Sequence, residues 1–148
     1  MKLRYLAIPF LFVAAIFISC YAQNSYQPVD PNKLEQFLPA ALDGWAINYY
    51  MDSKGEPGVG RQYEKENKLV ILGIYNIILD SDLNFLSKHG PDFKNVNVKG
   101  FPAITDGKSS LEVYVKNKIR VHVGAPNIDT VYLFSDKIDY QGIAALVK

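Results

Sequence analysis

The sequence predicts an α+β domain, a single antiparallel sheet of about six strands with helices packed against it. Three observations carry this. Short segments of alternating apolar and polar residues recur through the middle of the chain, as half-buried strands require. Several are separated by only two to four turn-forming residues, too few for the crossover that parallel strands need. Apolar residues at helical spacing stand near the start of the domain and at its C-terminal end, which supplies covering helices.

The chain begins with Met1-Lys2-Leu3-Arg4 and then runs without a charge from Tyr5 to Ile18. A charged start followed by an apolar run shorter than the roughly 20 residues of a spanning helix reads as an export signal over residues 1–22. Two processing routes are open. Phe17-Ile18-Ser19-Cys20 resembles a bacterial lipobox, which makes Cys20 a lipidation candidate, with Phe17 standing where Leu is usual. Cys20-Tyr21-Ala22 is also a small-x-small site cut before Gln23, and its Tyr-Ala-Gln ending resembles signal peptides common among Bacteroidetes. Residues 23–30 then form a short tether, and 31–148 a single domain.

Asp30 before Pro31 marks a helix start, because the carboxylate accepts an orphan N–H and proline suits the first turn. Leu34, Phe37 and Leu38 give that helix its apolar stripe, and Pro39 and Gly44 limit it. Trp45, Ile47 and Tyr49 alternate as a strand, and a loop over 52–58 leads to a second strand over 59–65. After a turn at Glu66-Asn67-Lys68, residues 69–79 are apolar on both parities, which predicts a central strand covered on both faces. Asp80, Ser81 and Asp82 are capping candidates for a helix bearing Leu83 and Leu86, stopped by Gly90 and Pro91. Residues 95–106 read as one edge strand interrupted near Gly100 and Pro102.

The next two strands fix their own register. Pairing Leu111 with Val123, Val113 with Val121 and Val115 with Ile119 puts six apolar side chains on one face and leaves a three-residue loop, Lys116-Asn117-Lys118. Val131, Phe134 and Ile138 keep helical spacing after Pro126. Asp139 can cap a final helix carrying Ile143, Leu146 and Val147.

Charge excludes some partners. Without Lys2 and Arg4 the formal charge falls from +1 to −1, with both signs scattered, so no footprint for nucleic acid or an anionic membrane face exists. Membrane attachment is expected only through lipid on Cys20. As the sole cysteine, Cys20 leaves the mature domain no disulfide and no thiol chemistry.

Phe37-Leu38-Pro39 with Gly44-Trp45, the hairpin ending Val121-His122-Val123-Gly124, and Ile138-Asp139-Tyr140 before Ala144-Ala145-Leu146 resemble a group of small exported bacterial proteins without assigned function. The element order is similar to PsbP/Mog1-like domains, which implies an antiparallel sheet of six or seven strands with flanking helices. These matches are structural residue types, so the likeness implies a fold and no activity.

No catalytic set emerges. Asp80-Ser81-Asp82-Leu83-Asn84 begins like a calcium loop, but Phe85 stands where Gly is needed and Pro91 where the bidentate Glu belongs. His89 and His122 are the only histidines, and no His-x-x-His spacing accompanies them, so neither a metal nor another cofactor is expected. His89 reads as a cation at a helix C-terminus, or with Asp92 as a proton-moving pair. His122 reads as a solvent-facing strand residue, or with Tyr114 across the hairpin as the lining of a small pocket. Glu64 and Glu66 look like two carboxylates on one side of a strand, and Tyr49, Tyr50, Tyr63, Tyr75 and Tyr114 are candidates for an aromatic platform. The expectation is an exported, noncatalytic periplasmic or envelope-associated domain binding a protein partner or small ligand, with His122, Tyr114 and His89 as binding candidates. Two alternatives stay open: a small periplasmic enzyme or accessory subunit using His89 or His122 with a carboxylate, and a lipid-anchored structural protein.

Overall fold

A computed structural model of the chain describes residues 27–40, 42, 44–52, 57–78 and 91–148; the side chains of 49–52 are outside that description. The expected export signal, Cys20, the helix and calcium-like run from Asp80, and His89 all lie outside the described residues. The described elements run α1 (Pro31–Glu35), β1 (Ala46–Asp52), β2 (Gly58–Lys65), β3 (Lys68–Asn76), β4 (Lys94–Val98), β5 (Phe101–Thr105), β6 (Ser110–Val115), β7 (Ile119–Gly124), α2 (Ile128–Ser135) and α3 (Tyr140–Leu146). The domain is α+β, with one antiparallel sheet in the order β1-β2-β3-β7-β6-β5-β4.

The sheet has seven strands rather than about six, because the stretch expected to be one interrupted strand folds as the hairpin β4–β5. Lys99 and Gly100 take φ values of 50° and 91°, the left-handed pair that a two-residue turn between twisted strands requires. Pro102 fits because the ladder between β5 and β6 begins only at Ala103, so its missing N–H breaks no pairing. Glu66 and Asn67, at 50° and 61°, make the same kind of turn between β2 and β3. The β6–β7 register is the expected one, with Leu111 opposite Val123 and Val115 opposite Ile119 around the loop 116–118.

One face of the sheet carries the core. Tyr63, Val70, Leu72, Ile74, Leu111, Val113, Val115, Ile119, Val121 and Val123 are fully buried there, and Leu34, Val131, Phe134 and Ile143 from the three described helices pack onto them. Phe134 stands edge-on to Trp45 and Tyr63, at ring-centroid distances of 5.5 and 4.8 Å. Asp30 accepts the Asn32 N–H at 3.0 Å and Asp139 the Gly142 N–H at 2.8 Å, the two caps read from the sequence; Asn127 caps α2 in the same way. Buried Asn76, Ser135 and Tyr140 find polar partners on this face. Asn76 bonds both the N–H and the C=O of Val29 and the Pro57 carbonyl, and the Ser135 and Tyr140 hydroxyls share a 2.7 Å bond. Burial pushes the Tyr140 phenol up to about 12, although the Ser135 bond opposes it.

The opposite face, here the outer face, is only partly covered. Gly73, Tyr75, Tyr114, Glu112 and Ile104 project there, and Ile104 and Tyr114 are buried in a small second cluster with Ile77. Leu69 and Ile71, however, are 45 and 41% exposed. The expectation that β3 is covered on both faces therefore fails over its first half, where alternation of parity decides which side chains meet the core. No helix among the described residues is long and apolar enough to cross a membrane.

Candidate functional site

The outer face brings His122 and Tyr114 together through a residue that sequence reading did not single out. In the β6–β7 ladder Glu112 is directly opposite His122, and Arg120 directly opposite Tyr114. His122 is thus diagonal to Tyr114 rather than beside it, and Glu112 links the two. The Tyr114 hydroxyl donates to Glu112 Oε2 at 2.8 Å, and His122 Nδ1 lies 3.4 Å from Oε1, a longer contact. Glu112 is 9% exposed, and Tyr114 is fully buried.

Burial alone pushes the Glu112 carboxyl up. Hydrogen bonding from His122 and Tyr114, with the nearby charge of Arg120, outweighs that and holds it below the usual carboxylate range. The result is a buried anion with two polar contacts from its neighbours. His122 itself keeps 30% of its side chain exposed. A Cβ added to Gly124 would lie 3.3 Å from His122 Nε2, so the ring turns Nδ1 toward Glu112 and sets Nε2 above the bare backbone of β7. Gly124, over which Nε2 lies, is opposite the exposed Ile71 of β3 in the ladder.

Tyr75 borders the other side. Its ring lies over Gly58 and Gly73, in the space that side chains there would fill, and the Arg120 guanidinium stacks on it at 5.4 Å from the ring centroid. Read across the face, the arrangement passes from an aromatic and cationic end, through the half-exposed imidazole, to the apolar Ile71 and Leu69. It can accept a hydrogen bond at Nε2 and pack apolar surface beside it.

The remaining candidates separate. Tyr63 faces the core and donates to the Pro39 carbonyl at 2.6 Å, whereas Tyr75 and Tyr114 face outward, so the tyrosines form no common platform. Tyr49 and Tyr50 have side chains outside the described set. Glu64 bonds Asn48 at 2.8 Å while Glu66 sits in the β2–β3 turn, so the two carboxylates do not share a strand face. An open groove of 460 Å³ lies beside that turn, lined by Gly44, Ala46, Ile47, Asn48, Glu64, Lys65 and Glu66; both carboxylates border it, and neither His122 nor Tyr114 does. Among the described residues no group of three or more His, Cys, Asp or Glu could hold a metal ion.

No protein-family model, curated protein or solved structure matches the chain. The site rests on its own geometry. Its signal was present in the sequence, because the register that pairs Leu111 with Val123 and Val113 with Val121 also sets Glu112 against His122.

Proposed function

We propose that the protein is an exported, noncatalytic periplasmic or envelope-associated domain that binds a protein partner or small ligand through the outer face of its sheet. The observation that carries this reading is the apolar strip of Leu69 and Ile71, left 45 and 41% exposed beside the polar His122. Side chains of that size are buried elsewhere in β3, and an apolar strip next to an oriented hydrogen-bonding group is what a binding surface needs. The PsbP/Mog1-like kinship read from element order is carried forward as part of this proposal. Such kinship is compatible with many activities and selects none.

A second reading has one specific observation in its favour. Glu112 against His122 is the carboxylate–imidazole pair that a small enzyme would use as a general base. The exposed apolar strip of Leu69 and Ile71 beside the pair favours binding over general-base chemistry as the account of this face.

Native and denaturing mass spectra of the protein from its own host test the proposal. The expected result is added mass in the native spectrum that is lost on denaturation and is absent from the Leu69→Lys/Ile71→Lys variant. A native spectrum without added mass, or added mass that survives in the variant, refutes binding at this face. The denatured mass also reads the processing route: a start at Gln23 marks a soluble exported protein, and an acylated start at Cys20 a lipid-anchored one.

A further inference from the structure

We infer that Glu112, held by Tyr114, fixes His122 with its proton on Nδ1, so that Nε2 is an acceptor subsite for a ligand group that donates a hydrogen bond, a hydroxyl or an N–H. The inference rests on the outer-face reading above and says which chemistry that face selects.

Three features of the geometry support it. Glu112 is anionic, and a carboxylate oxygen 3.4 Å from Nδ1 is compatible with a proton there and opposed to a lone pair. Tyr114 donates to the second oxygen at 2.8 Å from a fully buried position, which holds the carboxylate plane and prevents it from turning away. Gly124, opposite the exposed Ile71, has no Cβ to crowd Nε2. A neutral imidazole has one donor and one acceptor, so fixing the donor inward leaves only an acceptor outward. Glu112 and Tyr114 are therefore positioning residues, acting on a ligand through His122. A ligand whose contacting group is itself only an acceptor meets lone pair against lone pair and is disfavoured. One that couples a donor to an apolar body fits both Nε2 and the Leu69–Ile71 strip.

The test uses the full domain, labelled with nitrogen-15 and at its Leu and Ile methyls, at pH 8. The imidazole nitrogens report the tautomer directly, and we expect Nδ1–H, opposite to the Nε2–H form that free histidine favours. Glu112→Ala should return His122 to Nε2–H. Tyr114→Phe, which keeps the ring and frees one carboxylate oxygen, should move the population in the same direction and serves if Glu112→Ala does not fold. Phenol and anisole then probe the subsite, since they share an aromatic ring and differ in the donor. Phenol is expected to shift His122 Nε2 and to bind about fivefold more tightly than anisole, the factor that one net hydrogen bond confers. An Nε2–H tautomer in the wild type, a tautomer unchanged in the variants, or equal binding of the two probes overturns the inference. If both probes perturb the Leu69 and Ile71 methyls while Nε2 stays unmoved, the outer face still binds and only the acceptor assignment falls. If neither perturbs those methyls, the binding-face reading falls with it.

Discussion

Replacing Asp106 by Asn should remove an acid-sensitive share of the stability without changing the fold. Asp106 opens the connection between β5 and β6, where its Oδ1 accepts the N–H groups of Lys108, Ser109 and Ser110 at 2.8, 2.8 and 2.9 Å and its Oδ2 the Ser109 hydroxyl at 2.9 Å. Burial alone raises its pKa, but the backbone bonds from Ser109, Lys108 and Ser110 and the Ser109 hydroxyl outweigh it and bring the value from 3.8 to about 2. Because the folded value is depressed, the stabilisation is fully present above 3.8 and disappears as the pH falls through about 2. The difference, about 1.8 pH units, corresponds to roughly 2.4 kcal/mol at 1.36 kcal/mol per unit. Solvent screening at this partly exposed turn reduces that to about 1 kcal/mol. Urea unfolding followed by Trp45 fluorescence at pH 7, 4, 3 and 2 reads it. Asp106→Asn should be about 1 kcal/mol less stable at pH 7, with the gap closing toward pH 2. Glu112 also loses stabilising contacts in acid, but it does so in both proteins and cancels in the difference. A gap that stays constant from pH 7 to 2, or no gap at pH 7, refutes the assignment.

Two further changes probe the core face. Asn76→Leu leaves the Val29 N–H and C=O and the Pro57 carbonyl without their side-chain partner; we expect a loss of about 3 kcal/mol, a lowered Tm in calorimetry and faster proteolysis near Val29. Phe134→Ala opens a cavity between Trp45 and Tyr63 and should cost about 3–5 kcal/mol, with a red-shifted Trp45 emission; Phe134→Leu should cost less than about 1.5 kcal/mol and leave that emission near its native position.

The legible parts of the fold were those decided by neighbours in the chain. The caps at Asp30 and Asp139 depend on two or three residues, and the register around Lys116-Asn117-Lys118 on twelve. What escaped were matters decided at a distance. Nothing in Leu69-Val70-Ile71-Leu72 tells which parity meets the helices and which meets solvent, because both are apolar and the answer lies in where α2 and α3 pack. Likewise a non-glycine residue in the left-handed region, Lys99, hid the turn that divides β4 from β5. The site was half legible. His122 and Tyr114 are visible as candidates, even as a pair across the hairpin, but the Glu112 that links them and the Arg120 opposite Tyr114 do not enter that reading. Only the ladder, taken as a set of opposing pairs, joins the four.

The strand order has a consequence for how the chain assembles. β1-β2-β3 and β4-β5-β6-β7 are two meanders, each able to form from pairings between consecutive strands, and β3 with β7 is the single ladder that joins them. That seam pairs Ile71 with Gly124 and Asn76 with Ile119, so it can close only once nearly the whole chain is present, after the local hairpins have had time to form. Until then β3 is a naked edge carrying Val70, Leu72 and Ile74, and a chain that stops short of β7 keeps it so. Such a fragment exposes an apolar edge able to recruit strands from its own copies.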